Sequence, residues 1–353
     1  MRYSGRQVQL ERYPRGELSA SDFRIVEVEI EGALDGEVLV RNSWCSVDPG
    51  MRLQMRATGP PGYFPSFALG APLVGMAVGE VVESRAEGFQ RGDVVCHALG
   101  WRDYAAVPAR AQDLGGVGAL RRIDTALAPP EAYLGVLGGP GLTAYVGLLH
   151  VAGLRGGDVV WVSAAAGAVG GLAAQIAKLK GHFVIGSAGS DEKVELLLHE
   201  YGLDAAFNYK ACPVAEQLRR AAPDGIDVYF DNVGGEHLDA ALVSLRRWGR
   251  VALCGAVSEY DETGAAAVGN LFQAVANDLT LRGFRGSSHV DRRPAFERDV
   301  GGWLRDGRIR YVETIVEGLE RAPEAMVDLL AGRTTGKALV RIARAPAGAA
   351  VTP

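Results

Sequence analysis

Residues 159–170, Val-Val-Trp-Val-Ser-Ala-Ala-Ala-Gly-Ala-Val-Gly, run from an apolar strand through a turn of tiny side chains into a helix. No other segment limits the fold so strongly. Small residues let backbone amides approach a pyrophosphate, and Gly170 and Gly171 let the helix lie close against its strand. The spacing is Ala164-x-x-Gly167-x-x-Gly170, with alanine where the commoner fingerprint has its first glycine, so the flanking pattern must carry the rest. Gly156-Gly157-Asp158 makes a turn before the strand. Val169, Leu172, Ala173, Ile176 and Leu179 then recur at helical spacing until Gly181 stops the helix. The segment predicts a dinucleotide site, against the plainer reading of a close-packed strand-to-helix crossover.

Around it, short apolar runs near 159–163, 182–186, 205–207, 226–230, 250–254 and 279–283 alternate with helix-like stretches. Strand–helix alternation with nearly continuous apolar strands predicts a parallel sheet covered on both faces in doubly wound order. Residues 1 to about 130 differ. Alternating runs such as Val26–Ile30, Val38–Arg41 and Gly79–Glu83, broken by glycines and prolines, predict a small β-rich domain. The tail, with extended segments Tyr311–Val316 and Ala338–Ile342 around a helix starting near Pro323, is expected to return to that first domain. Residues 346–353 are expected to fray.

The 353 residues suffice for two domains, and 48% hydrophobic with 22% charged residues is a globular balance. A net charge of -5 gives no general reason to bind nucleic acid or an anionic membrane. There is no long uncharged apolar span, and no hydrophobic signal region follows Met1-Arg2-Tyr3-Ser4-Gly5-Arg6, so a cytoplasmic protein is expected. Lysine is rare beside arginine, a bias read as GC-rich, bacterial coding. Cys45, Cys96, Cys212 and Cys254 are scattered and the six histidines lack ligand spacing, which predicts neither a disulfide framework nor a metal site.

Six ordered motifs then identify a family: Leu142-Thr-Ala-Tyr145, Ala164–Gly170, Gly189-Ser-Asp-Glu-Lys193, Phe207-Asn-Tyr-Lys210, Phe230-Asp-Asn-Val-Gly-Gly235 and Cys254-Gly-Ala-Val-Ser-Glu-Tyr260. From about residue 38 to 342 the chain resembles the zinc-free medium-chain dehydrogenases/reductases, within them the prostaglandin reductase, leukotriene B4 12-hydroxydehydrogenase and alkenal double-bond reductase group. The resemblance implies an α/β protein with a GroES-like β-rich catalytic domain (1–134 and 311–353) and a doubly wound Rossmann domain (135–310) that binds NADPH. It also implies a homodimer. By the same resemblance, cofactor contacts fall on Gly167, Ala168, Val169, Gly170, Lys193, Tyr209, Asn232, Cys254, Gly255, Ala256, Val257, Ser258, Phe284, Arg285 and Gly286.

The residues support NADPH on their own account. Enzymes built for NAD usually end the second strand with an acidic residue for the ribose hydroxyl. Here the chain reads Ile185-Gly-Ser-Ala-Gly-Ser190, and Lys193 follows on the first helical turn. In similar enzymes this lysine and the tyrosine matching Tyr209 hold the 2′-phosphate. The competing reading of Lys193 is a solvated helix lysine. Asn232 closes the strand before Val-Gly-Gly, where it serves as a turn residue, a cofactor contact, or both.

Zinc-dependent relatives pair a first-domain cysteine with a later Gly-His-Glu segment. Here Cys45 is followed by Gly70-Ala-Pro-Leu-Val-Gly75, without His or Glu. Lacking a Lewis acid for an alkoxide, the chain is expected to add hydride to an α,β-unsaturated carbonyl compound, which supplies its own electron sink. Tyr260 is the candidate donor to the developing enolate. The substrate pocket is expected at Gly50, Met51, Arg52, Gly139 and His289. The usual Asp-Pro-Tyr-Met-Arg reads Asp48-Pro49-Gly50-Met51-Arg52 here, Gly139 replaces a methionine, and Phe284-Arg-Gly-Ser-Ser-His289 is poor in aromatics. Lost bulk at these places predicts either a repacked site or a wide pocket for a large, polycyclic natural-product substrate. Two alternatives stay open: a reductive cyclase acting on a polyene, and a non-catalytic NADPH-binding protein. Near the C-terminus, Thr334-Thr335-Gly336-Lys337 stands where the family commonly has Asn before Leu-Gly-Lys, which puts one cofactor contact in doubt.

Overall fold

The computed structural model describes residues 2–110, 118–261 and 268–342; the expectation of fraying at 346–353 falls outside them. The chain divides into two compact units, Met1–Leu134 with Glu313–Pro353, and Gly135–Val312.

The first unit begins with β1 (Arg2–Leu10) and β2 (Phe23–Glu31), a long antiparallel pair. Next come β3 (Glu37–Ser46), a single helical turn α1 (Met51–Gln54), β4 (Ala77–Ser84), β5 (Val94–His97), β6 (Tyr104–Pro108) and the short β7 (Arg121–Arg122). Alternation in β3 and β4 sends Val38, Val40 and Val81 into one apolar cluster with Val95, Ala105 and Val107.

The second unit contains α2 (Gly139–Val146), β8 (Val159–Val162), α3 (Ala168–Leu179), β9 (Phe183–Ala188), α4 (Asp191–Glu195), β10 (Ala205–Asn208) and α5 (Val214–Ala221). It continues through β11 (Ile226–Asp231), α6 (Gly235–Ser244), β12 (Leu245–Leu253), α7 (Phe272–Ala276), β13 (Thr280–Gly283) and α8 (Arg293–Arg305). Among its described residues six strands form one parallel sheet, in the order β10-β9-β8-β11-β12-β13. The order reverses at β8 and β11, whose carboxyl ends therefore open a crevice where such sheets bind nucleotides. On one face of this sheet Trp161 stacks on Tyr229 at 4.3 Å and on His237 at 5.8 Å, at the centre of a core shared with α5 and α6.

The chain then re-enters the first unit as β14 (Glu313–Glu317), α9 (Ala322–Leu330) and β15 (Lys337–Arg341). β15 lies between β14 and β3, completing a mixed sheet ordered β14-β15-β3-β4-β5-β7, with β6 also on β3. The strand expected from Tyr311 begins at Glu313. Among the described residues, no helix is long and apolar enough to cross a membrane.

Candidate active site

The turn after β8 is tighter than its alanines suggest. Ala164 sits at φ 47°, in the left-handed region that glycine takes at least cost, and its carbonyl accepts from the Gly167 amide at 2.9 Å. A Cβ on Gly170 would lie 2.4 Å from that same carbonyl oxygen. The turn and the first coil of α3 are therefore in backbone-to-backbone contact. Among the described residues no side chain caps α3, and no acidic residue stands in its first turn. Its first-turn amides at Ala168, Val169 and Gly170 carry the positive end of the helix dipole, a fit for a phosphate.

Beyond β9, Tyr209 packs on Gly189, and Lys193 follows Ser190 in α4. The Tyr209 amide donates to the Ala188 carbonyl at 3.0 Å, and its ring lies 3.1 Å from where a Cβ on Gly189 would stand. Ser190 caps α4 by accepting from the Lys193 amide at 3.4 Å. Burial, then the nearby Lys210 cation, hold the Lys193 ammonium below the usual lysine range. The Lys210 ammonium stands 5.8 Å over the Tyr209 ring. An anion between the two lysines would relieve both penalties. The adjacent acids are occupied: Asp191 accepts from Asn208 Nδ2 at 2.8 Å, and Glu192 is held well ionised by its own backbone amide and Ser190. Lys210 closes the Phe207-Asn-Tyr-Lys210 segment, where local pattern alone assigns it no role.

At the ends of β8 and β11 the Asn232 side chain has a definite task, donating to the Ser163 carbonyl at 2.7 Å. Its neighbour Asp231, nearly inaccessible, accepts from the Val233 and Gly234 amides at 2.9 and 2.8 Å and from the Tyr229 hydroxyl at 2.8 Å. Burial pushes its carboxyl up all the same. Sequence reasoning passed over Asp231, although Asp before Asn-Val-Gly-Gly is the signal of such a side-chain-closed turn.

The loop after β12 is stitched onto this turn. Val257 and Ser258 donate their amides to the Asn232 and Val233 carbonyls, both at 3.2 Å, and Ser258 Oγ reaches the Val233 carbonyl at 2.6 Å. Ala256 packs where a Cβ on Gly234 would stand, 2.9 Å away. Burial pushes the Cys254 thiol up to about 12, so it stays protonated. Tyr260 folds back with its hydroxyl 3.0 Å from the Cβ position of Gly255. The phenol thus stands at the carboxyl edge of the sheet.

Two other candidates, Phe284 and Gly286, have packing roles. The Phe284 ring turns inward against Phe230 (6.1 Å) and covers Gly147, where a Cβ would meet it at 2.3 Å. Gly286 abuts Thr143 Oγ1, 2.2 Å from its Cβ position, and that hydroxyl donates to the Gly139 carbonyl at 2.8 Å. Arg285 is exposed at the start of the following turn, and His289 breaks helical geometry there at φ -127°. Within segment 284–286, backbone and the Arg285 side chain are what the site has to offer.

In the first unit, Met51 belongs to the core with Trp101 and Val47, and buried Arg52 donates through Nη2 to the Gly16 carbonyl at 2.7 Å. Both side chains are committed to the interior. Gly50 begins α1, and the hydroxyl of Tyr63 lies 2.6 Å from its Cβ position. Cys45 is fully buried, its thiol pushed up to about 12 by burial. Lys337 is a buried anchor: its ammonium donates to the Val47 carbonyl at 2.6 Å, the Ala338 carbonyl at 3.0 Å and Asp48 Oδ1 at 3.0 Å. It fixes the turn that leads into Gly50.

Residues 6–114 match the family model described as the N-terminal domain of oxidoreductase, and residues 168–299 the one described as zinc-binding dehydrogenase. The NADP(+)-dependent 2-alkenal reductase of Nicotiana tabacum is 41% identical over 97% of this chain and 98% of its own. Prostaglandin reductase 1 of Sus scrofa is 39% identical over 94% and 97%. The structure of CurA from Vibrio vulnificus in complex with NADPH superposes with a TM-score of 0.89 at 34% identity, covering 96% of this chain and 100% of that one. With this site and these full-length relatives, the chain belongs to the medium-chain dehydrogenase/reductase family, in the zinc-free group of the prostaglandin and 2-alkenal reductases.

Proposed function

We propose that this chain is an NADPH-dependent, metal-free reductase of conjugated alkenes, acting on an α,β-unsaturated carbonyl compound. One observation carries the reading. Along the carboxyl edge of a single parallel sheet stand an uncapped helix start over Gly170, a Lys193–Tyr209–Lys210 cluster, and the Tyr260 phenol over Gly255. When bound, NADPH supplies the hydride that the β-carbon of the alkene accepts. The α3 amides would hold its pyrophosphate, and Lys193, Tyr209 and Lys210 its 2′-phosphate. As the β-carbon is reduced, negative charge gathers on the substrate's carbonyl oxygen, and a donor placed there lowers the barrier. Tyr260 is that donor, while the α-carbon takes its proton from the phenol or from water. No metal is needed, because the conjugated carbonyl is the electron sink; the buried, protonated Cys45 is poorly suited to bind one.

Two copies are proposed to pair along the β13 edge in the cytoplasm. That strand ends the sheet, and exposed Trp248, Leu271, Phe272 and Val275 lie beside it. The function is tested by following NADPH absorbance with a panel of enones and enals, then counting the remaining double bonds of the product by NMR. Loss of one conjugated double bond with no new ring supports the reading. Tight NADPH binding without consumption by any member of the panel overturns it.

A further inference from the structure

Beyond Val162, the last residue of β8 paired with β11, the two strands that border the crevice part. The Ser163 amide still donates to the Phe230 carbonyl at 3.2 Å, but the Ala165 amide donates to the Ser187 carbonyl near the end of β9, at 3.0 Å. On the other side the Asp231 carbonyl accepts the Cys254 and Gly255 amides, at 2.8 and 3.1 Å, and so belongs with the end of β12. Backbone pairing therefore draws the phosphate turn one way and the Asp231 turn the other. Side chains close the gap. Besides the Asn232 amide group on the Ser163 carbonyl, they form one directed line. Strand alternation sets Trp161 and Ser163 on the same face as Tyr229 and Asp231. The Tyr229 ring is held by its stack on Trp161, and its hydroxyl lies 2.8 Å from Asp231 Oδ1 and 3.0 Å from Ser163 Oγ. Ser163 Oγ in turn accepts from the Asn232 amide at 3.0 Å. The phenol has a single proton, which the carboxylate can only accept. The Ser163 hydroxyl is left to donate to the phenol oxygen, so the protons all run toward Asp231 and every member is satisfied. Burial, then the Asp231 charge, hold the phenol well above its ordinary pKa, and it stays protonated.

We propose that Tyr229 is a positioning residue: its hydroxyl, set between Ser163 and Asp231, fixes the spacing between the phosphate turn and the Asp231–Asn232 turn, and with it the fit of the crevice to NADPH. The proposal rests on the cofactor site described above at β8 and α3. Tyr229 acts through Ser163, the residue from which the turn at Ala164 departs, and through Asp231, whose carbonyl also holds Gly255. Its hydroxyl should therefore matter to a ligand that crosses the phosphate turn, and not to one held only at Lys193 beyond β9.

The test compares wild type, Tyr229→Phe, Ser163→Ala and the double variant. Calorimetry well below Tm gives the affinities of NADPH and of 2′-AMP, which carries the 2′-phosphate without the pyrophosphate; thermal unfolding gives stability. Tyr229→Phe keeps the ring on Trp161 and removes only the hydroxyl. NADPH affinity is expected to fall roughly three- to tenfold, the range of one neutral hydrogen bond, with 2′-AMP affinity unchanged. Ser163→Ala should do the same, and the double variant should bind no worse than either alone. A Tyr229→Phe protein that loses Tm yet binds NADPH like wild type, a loss shared equally by both ligands, or losses that multiply in the double variant, overturns the proposal and leaves enone reduction intact. If Tyr229→Phe does not fold, Ser163→Ala is judged by the same comparison of the two ligands. A wild type that binds NADPH but reduces no enone overturns the reaction reading alone, and one that does not bind NADPH overturns both.

Discussion

Replacing Gly170 by alanine isolates the contact on which the phosphate turn depends. The new Cβ would stand 2.4 Å from the Ala164 oxygen, 2.9 Å from its carbonyl carbon and 3.0 Å from Ala165 Cα. All three atoms are backbone, so no rotamer change relieves the overlap. An unstrained carbon–oxygen contact is about 3.3 Å, which requires turn and helix to separate by about 0.9 Å. Such overpacking costs typically about 1–3 kcal/mol, here at the upper end because only backbone can yield. Alanine returns roughly 1 kcal/mol through helix propensity. The net loss is on the order of 2 kcal/mol, a fall in Tm of roughly 4–8 °C for a unit of this size. Binding should suffer more than stability, since misplacing positioned groups by about 1 Å can cost on the order of a hundredfold. Thermal unfolding and fluorescence titration with NADPH measure the two effects. Adding Ala164→Gly, which frees the residue held at φ 47°, should recover part of both by letting the turn relax. A Gly170→Ala protein with wild-type Tm and NADPH affinity would refute the close approach and the phosphate site built on it.

Lys193→Ala should weaken NADPH binding at least roughly tenfold, as loss of one charge-assisted hydrogen bond implies, and leave NADH binding unchanged; parallel titrations of both cofactors check this. Tyr260→Phe should lower kcat by on the order of a hundredfold with NADPH affinity intact, and full turnover would remove its proposed role. Burial, then Glu131, raise Glu313 from 4.5 to about 7, and its Oε1 has no hydrogen-bond partner among the described residues. The folded state therefore holds this proton more tightly than the unfolded chain. The stability it contributes is complete below 4.5 and is lost as pH rises through about 7. Urea midpoints should accordingly fall less between pH 5 and pH 8, roughly bracketing that window, in Glu313→Gln than in wild type. Phe272→Glu, changing a ring 74% exposed, should convert the proposed dimer to monomer in sedimentation, and a monomeric wild type would remove the β13 pairing.

The parallel sheet was legible because its strands are short apolar runs set apart by amphipathic helices, a pattern that survives without tertiary information. β12 begins at Leu245, five residues before the run expected from 250, because Arg246, Arg247, Trp248 and Gly249 disguise its start. The strand Arg2–Leu10 escaped notice, since its polar alternation resembles a loop until it pairs with Phe23–Glu31. Within the candidate site, Lys193 and Tyr209 are proposed from motif order. The approach of Tyr63 to Gly50 was not legible, because it depends on how a loop closes. Asp48 and Lys337 meet only through β15, the last of the described strands, a partnership across 289 positions that no local pattern encodes.

That last strand also sets an order of assembly. The unit from Gly135 to Val312 is one uninterrupted stretch, complete as soon as its final helix has been made. The other unit begins first and finishes last: β15 must slot between β14 and β3, and the Lys337 ammonium must reach Val47 and Asp48, before its sheet is whole. On the ribosome, the nascent amino-terminal strands wait with an open edge on β3 while the nested unit matures. A stop codon shortly before residue 337 would therefore strike strands made long before it, far from the break in sequence, and spare the contacts of the continuous unit between them.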